Sequence, residues 1–484
     1  MTETRRPRPA APRALHASRA TRAVRVPRSV RAASAALALA GLLAVSGCSG
    51  DAKPARQQAD PGLTAEPAAL SPSPGAGGSP SGGVVALTPD VTAKLDASIK
   101  QVMGQASIPG VIVGYTTPGG SYQRNFGVAD KDAGTPMSAD LYTRVGSVTK
   151  TFTATAVLLL ADQGKLSLDD PVSKYVPNVP GGDGITLRQL GQMRSGLYNY
   201  SNDPDFQHDF LSDPNHPFTP DQLLAYAFKH PADFAPGSRF EYSNTNYILL
   251  GQVVEKVGGQ PLGDYLKAQV FGPAGLTDTT FPTDATFPDP HAHGYTDQTL
   301  NGQLTDATTW NPSWGWAAGA VISNLADLQT WSKVLATGTP LLKPATQADR
   351  LKGQDTGTPD LSYGFGVFTT HGWVGHNGSL PGYETVVVYL PAAQASLVII
   401  LNTDVTYQGS EPSTLLATAI TQIVSPDNVY TLPTGAASGS PYASPSPSPS
   451  PYQSPSPSSY QSATPYPTAT TTPAPGSGAT LHLS

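Results

Sequence analysis

Cysteine is almost missing from this chain: Cys48 is the only one in 484 residues. A single thiol excludes an intramolecular disulfide and a cysteine-based metal site, so a folded domain must be stable through its own core. Charge is sparse as well. Asp, Glu, Lys and Arg make up 13% of the residues, and no lysine or arginine follows Lys352. The formal net charge is −6; residues 1–47 hold nine arginines and one glutamate, so the remainder carries about −14. An acidic body of this kind repels phosphate backbones, which excludes nucleic acid as a partner. Long apolar runs are also lacking. The stretch Ala32–Val45 covers 14 positions, short of the roughly 20 needed to cross a bilayer.

What is present falls into four segments. Residues 1–47 run from a basic stretch through the apolar one to small residues, the order of an export signal. They end in Val45-Ser46-Gly47-Cys48, which resembles a bacterial lipobox, where the cysteine is lipidated and becomes the mature N-terminus. The plainer alternative is an unmodified cysteine behind an ordinary signal. The expectation is lipidation at Cys48 and a protein anchored at the extracellular face of the cell membrane. Residues 48–84 are rich in Pro, Gly, Ala and Ser, as in LSPSPGAGGSPSGG over 70–83, and read as a disordered tether. Residues 434–484 repeat Ser-Pro with interspersed Tyr and read as a disordered, partly extended tail.

Residues 85–433 have the composition of one large domain. Strand patterns occupy Val111–Thr116 and Tyr122–Val128 near the start, and Gly364–Thr369, Thr385–Leu390 and Ser396–Asn402 near the end. The middle reads as helical: Val148–Asp162, Asn246–Val257, and Leu262–Phe271 closed by Gly272-Pro273. Strands at both ends with helices between them predict an α+β fold: one antiparallel sheet built from both chain ends with flanking helices, plus a mostly helical lobe. A site is expected in the cleft between the two.

Ser147-Val148-Thr149-Lys150 opens the first of those helices, and Lys150 is the only lysine with a serine three residues before it. That spacing puts a hydroxyl and an amine on one helix face, where the amine can take the hydroxyl's proton. Tyr242-Ser243-Asn244 follows 95 residues on, and His376-Asn377-Gly378 opens the C-terminal strand region. Taken in this order, with the flanks FAPGSRFEYSNTNYILLG (234–251), GWAAGAVISNLADLQTWS (315–332) and GHNGSLPGY (375–383), the chain resembles the penicillin-recognising serine hydrolases. It is most similar to their class C β-lactamase and D-Ala-D-Ala carboxypeptidase branch, which has a β-lactamase/transpeptidase-like fold. The resemblance spans roughly residues 90–425. It implies Ser147 as nucleophile, Lys150 as its base, and Tyr242 as the shuttle that carries a proton to the leaving group. It implies substrate contacts from Asn244, His376, Asn377 and Gly378. The oxyanion hole would be the backbone N–H groups of Ser147 and Ser379.

The expected activity is that of an exported serine hydrolase working through an acyl-enzyme on peptides, amides or esters, closest to a D-Ala-D-Ala carboxypeptidase or related peptidase or esterase. The alternatives are a β-lactamase proper and a non-catalytic peptidoglycan- or penicillin-binding protein on the same fold. No cofactor and no metal is expected. The partners expected are a small-molecule or peptide substrate, peptidoglycan among them, and the membrane through the lipid anchor; the chain is expected to be a monomer. His376 departs from the family's usual lysine. A neutral imidazole gives weaker help to a substrate carboxylate, and no downstream arginine is available to replace it. A second Tyr-x-Asn, Tyr200-Ser201-Asn202, lies in a turn-rich stretch without the matching flanks and is passed over. His291 and His293 read as surface-loop residues rather than ligands. Lys256-Val257-Gly258 reads as a helix end.

Overall fold

A computed structural model describes residues 83–433. The segment 1–47, Cys48, all but the last two residues of 48–84, and the tail 434–484 lie outside the described residues. Among those described, no helix is long and apolar enough to cross a membrane.

The central sheet has nine strands: β1 (Gly110–Thr117), β2 (Gly120–Asp130), β3 (Thr135–Pro136), β4 (Gln354–Asp355), β5 (Leu361–Tyr363), β6 (Phe368–Thr370), β7 (Trp373–Leu380), β8 (Tyr383–Leu390) and β9 (Ala395–Leu401). Their spatial order is β3-β2-β1-β9-β8-β7-β6-β5-β4, and all pairings are antiparallel. The two chain ends meet where β1 pairs with β9, Val111 facing Leu401. The sheet is therefore built from both termini, and the fold class is α+β as predicted.

Burial explains the sequence of each strand. Strands β7, β8 and β9 are buried at every position, and β8 and β9 read accordingly as nearly continuous apolar runs, VVVYL and LVIIL. Strand β2 is covered on one face only and is mostly exposed. Helices α1 (Pro89–Ala106) and α5 (Pro412–Val424) pack on one face of the sheet, and α4 (Leu325–Thr337) packs on the other. A Cβ on Gly114 would lie 2.7 Å from Leu325 and 2.6 Å from Gln329, so this glycine lets α4 settle onto β1.

Helix α2 (Thr149–Asp162) runs through the interior and packs on α3 (Asn244–Gly258) in the helical lobe. Residues 149–158 of α2 are all buried, so it is a core helix rather than an amphipathic one. Its threonines are satisfied in place: Thr151 accepts from Trp331 Nε1 at 2.8 Å, and Thr153 donates to the Ala317 carbonyl at 2.7 Å.

Two predicted elements differ in detail. Of the strand expected over Gly364–Thr369, only Phe368 and Thr369 are in a strand, β6; residues 364–367 are the turn between β5 and β6. Gly366 has φ +73°, and a Cβ on Gly364 would sit 2.2 Å from the Arg350 carbonyl, so the two glycines fold the run back on itself. The helix expected to end at Phe271 continues as a π turn over Lys267–Phe271 and a last turn over Gly272–Ala274, ending at Gly275 with φ +75°. Pro273 sits early in that turn, where its missing N–H costs nothing. Helix α3 ends at Gly258 with Gly259 as a left-handed cap, matching the predicted helix end.

Candidate active site

Ser147 lies in a 3-10 turn, Gly146–Val148, that runs directly into α2. Gly146 has φ +53°, and a Cβ there would lie 2.8 Å from the Ser379 nitrogen. On the facing strand, a Cβ on Gly378 would lie 2.0 Å from the Val145 carbonyl and 2.8 Å from the Ser147 nitrogen. Both positions exclude a side chain, so the turn and β7 touch backbone to backbone. That contact brings the N–H-bearing segments of Ser147 and Ser379 together. The same two serines, with Asn244, Tyr200, Trp314 and Leu380, line a narrow cleft between the sheet and the helical lobe.

Lys150 is fully buried one turn below. Its Nζ donates to Ser147 Oγ at 2.9 Å and to the Ala318 carbonyl at 2.9 Å. Among the described residues no carboxylate pairs with it. Burial holds its pKa well below that of an ordinary lysine, because an ammonium without a counter-ion is poorly tolerated there. An amine of that kind can give up its charge and accept the Ser147 proton.

Tyr242 packs with its ring partly exposed and its hydroxyl withdrawn from solvent. The Lys150 Nζ lies 4.9 Å from the centre of this ring. Burial pushes the phenol well above its usual pKa, and the neighbouring Ser147 hydroxyl pulls the other way. No hydrogen bond of good geometry closes on the Tyr242 hydroxyl. It is thus a protonated phenol beside Ser147 with its donor unspent. Asn244 shares the cleft but does not bond to Lys150: its Nδ2 donates to Ser201 Oγ at 3.1 Å, and its N–H donates to Asn199 Oδ1 at 3.0 Å.

His376 is fully buried behind Tyr242, ring centres 6.2 Å apart. Its Nδ1 lies 2.5 Å from the Asn377 carbonyl, which can only accept, so Nδ1 carries the proton; Nε2 then accepts from the Tyr363 hydroxyl at 3.0 Å. Burial and the Lys150 charge push the His376 pKa down to about 3. The Asn377 side chain is not brought to the cleft. Strand alternation turns it to the α5 side, where its Nδ2 donates to Glu411 at 2.9 Å. Of the third motif, the Gly378 backbone reaches the Ser147 segment, and Ser379, the residue after it, lines the cleft.

Several residues at the site escaped the sequence reading. Tyr200, in the Tyr-x-Asn passed over, walls the cleft, with its hydroxyl donating to the Trp314 carbonyl at 2.5 Å. The Ala318 carbonyl is a backbone group with no side-chain signal. Met193 has φ +58° and turns its sulfur to the Ser243 N–H at 3.5 Å and Asn246 Nδ2 at 3.6 Å, so it holds the start of α3 in place. Arg194 beside it is spent on Gly237 and Gln354. His293 meets Asp306 at 2.7 Å, and no group of His, Cys, Asp and Glu among the described residues is arranged to hold a metal.

A sheet closed from both chain ends, with a serine–lysine pair at the buried start of its core helix, is the architecture of acyl-transferring serine hydrolases. The Beta-lactamase family model matches residues 95–419, and the chain belongs to that family of penicillin-recognising serine hydrolases. It is similar to a D-stereospecific amidohydrolase from Streptomyces sp., with 31% identity, coverage of 68% of this chain and 97% of that one, and a TM-score of 0.62. It is also similar to the D-amino acid amidase from Ochrobactrum anthropi SV3 complexed with L-phenylalanine amide, with 25% identity, coverage of 70% and 97%, and a TM-score of 0.59. Protein flp of Staphylococcus aureus NCTC 8325 is 27% identical over 336 residues, which cover 66% of this chain and 65% of that relative's length.

Proposed function

We propose that this protein is an exported serine hydrolase that carries D-amino-acid acyl groups on Ser147, with peptide, amide or ester substrates. The observation that carries the reading is the 2.9 Å bond from Lys150 Nζ to Ser147 Oγ in a fully buried setting without a carboxylate partner. In the reaction Ser147 Oγ bonds to the acyl carbon as its proton passes to the neutral Lys150 amine. The carbonyl oxygen becomes an oxyanion held by the Ser147 and Ser379 N–H groups. Tyr242 gives its proton to the departing nitrogen or oxygen and is reprotonated from Lys150; the bond to that atom breaks, leaving an acyl-enzyme. Water then adds by the same route in reverse order, releasing the acid and restoring the serine. The amidohydrolase and amidase likenesses support a D-amino-acid acyl group. The lipobox-like Val45–Cys48 segment supports attachment at the outer membrane face, within reach of peptidoglycan peptides.

Intact-mass analysis after exposure to a fluorophosphonate, benzylpenicillin and D-alanyl esters tests this. The expected result is one adduct, lost in Ser147→Ala; an adduct that persists in that variant overturns the assignment. Rapid, complete nitrocefin turnover would establish a β-lactamase instead. Binding of peptidoglycan fragments with no adduct from any reagent would establish a non-catalytic protein. Cys48→Ser should release the protein from the cell envelope if the anchor is real.

A further inference from the structure

We propose that the cleft is built for acyl donors without a free carboxylate, so that amides, esters and capped peptides are its substrates and free C-terminal acids are refused. This rests on the acyl-transfer reading above and names the substrate class of that same site.

The first observation is the cleft wall. Its lining is Ser147, Tyr200, Asn244, Trp314, Ser379 and Leu380 with the small residues of 315–319, and no charged side chain is among them. The second is the fate of the cations on the surrounding elements. Arg144, just ahead of Ser147, is buried outside the cleft lining: its Nη2 donates to the carbonyls of Ala285, Thr308 and Trp310, while its Nε and Nη1 have no partner. Arg194 is spent on Gly237 and Gln354. Arg350 is likewise buried outside the lining, with Nη2 donating to the Thr151 carbonyl and Nε unpaired. Lys150 has two partners, Ser147 Oγ and the Ala318 carbonyl, and must be neutral to act as a base.

The third observation is His376, the one basic group near the nucleophile on the strand side. Both ring nitrogens are committed, Nδ1 to the Asn377 carbonyl and Nε2 to Tyr363. With both nitrogens occupied and the ring fully buried, His376 offers no donor to a substrate carboxylate. A carboxylate entering this cleft would lose its water and gain no counter-ion, whereas a carboxamide or ester at the same place carries no charge to strand.

The test is a matched pair in the full-length protein: N-acetyl-D-alanyl-D-alaninamide against N-acetyl-D-alanyl-D-alanine, which share the scissile bond. Benzylpenicillin methyl ester against benzylpenicillin is read in parallel as the acylation rate of Ser147. The neutral member of each pair should be favoured about 10- to 100-fold in kcat/KM or acylation rate. Equal or faster reaction of the free acids overturns the proposal and leaves the acyl-transfer reading standing. No adduct from either penicillin, and none from a fluorophosphonate, overturns both.

Discussion

The tripeptide Tyr-Ser-Asn occurs twice at this site, as Tyr200-Ser201-Asn202 and as Tyr242-Ser243-Asn244, and the two copies do opposite things. In the first, every polar group named is committed. The Tyr200 hydroxyl donates to the Trp314 carbonyl, Ser201 Oγ accepts from Asn244, and Asn202 Oδ1 accepts from Asn199 at 3.1 Å. In the second, Asn244 is likewise committed, to Ser201 and Asn199, but Ser243 Oγ is buried with no hydrogen-bond partner and the Tyr242 hydroxyl has only the loosely aligned Ser147 hydroxyl beside it. A satisfied buried group stabilises; an unsatisfied one is destabilising by about 1–3 kcal/mol and is kept where chemistry needs it. The first copy is wall and the second holds the tyrosine we propose as proton shuttle, though their side chains are identical.

The sharpest way to break that contrast is to remove what the second copy serves. Lys150→Met should abolish adduct formation with every reagent, as read by intact mass, and should raise stability in chemical denaturation at pH 7 by roughly 1–4 kcal/mol. The sign follows from linkage. The folded-state pKa of Lys150 is depressed, so below the unfolded value near 10.4 the unfolded chain binds a proton that the folded chain does not. Wild-type stability therefore climbs as pH rises toward 10.4, and the variant loses that slope.

Next in size is the direct comparison. Tyr242→Phe should lower the acylation rate by about 10²–10⁴-fold with little change in stability. Tyr200→Phe should change the rate less than about threefold while destabilising by about 1–2 kcal/mol, because the Trp314 carbonyl loses its donor. Equal kinetic effects would erase the distinction.

A third test uses pH. His376 sits behind Tyr242 with a pKa near 3, far below the unfolded value near 6.5. Its contribution is complete above 6.5 and lost as pH falls toward 3, at about 1.4 kcal/mol per pH unit. His376→Gln should flatten the stability curve over that window in denaturant titrations. The smallest effects belong to the serines: Ser201→Ala should destabilise by about 1 kcal/mol, whereas Ser243→Ala, which removes an unsatisfied buried hydroxyl, should stabilise by about 1 kcal/mol.

The two tyrosines also show how far the sequence could be read. The sheet built from both ends, the core helix after Ser147 and the α3 helix were legible because apolar periodicity and glycine stops are local signals. The pairing of Ser147 with Lys150 was legible because it spans one helical turn. Flanking sequence separated Tyr242 from Tyr200 as candidates, but nothing local could show that Tyr200 would still wall the cleft; that follows from a 45-residue return of the chain, where Tyr200 N meets Thr245 Oγ1. The Ala318 carbonyl was invisible because it carries no side chain. The turn at Gly364–Val367 was missed because two glycines in an apolar run read as a strand until tertiary contacts are known. For Asn377, strand alternation was the available cue, and it points the side chain away from the cleft once His376 is fixed toward Tyr242.

The glycine-on-glycine contact between Gly146 and Gly378 has a temporal meaning. Ser147 and Lys150 emerge from the ribosome together, but the second N–H that would hold a reacting oxygen lies more than 200 residues later, on a strand that docks only when the two ends of the chain have found each other. A polypeptide that stops before β7 carries a serine and a lysine yet lacks the Ser379 wall of the cleft. On the mechanism we propose, covalent labelling of Ser147 would therefore report that the last third of the domain has been made and has closed, and the protein would stay chemically silent for most of its own synthesis.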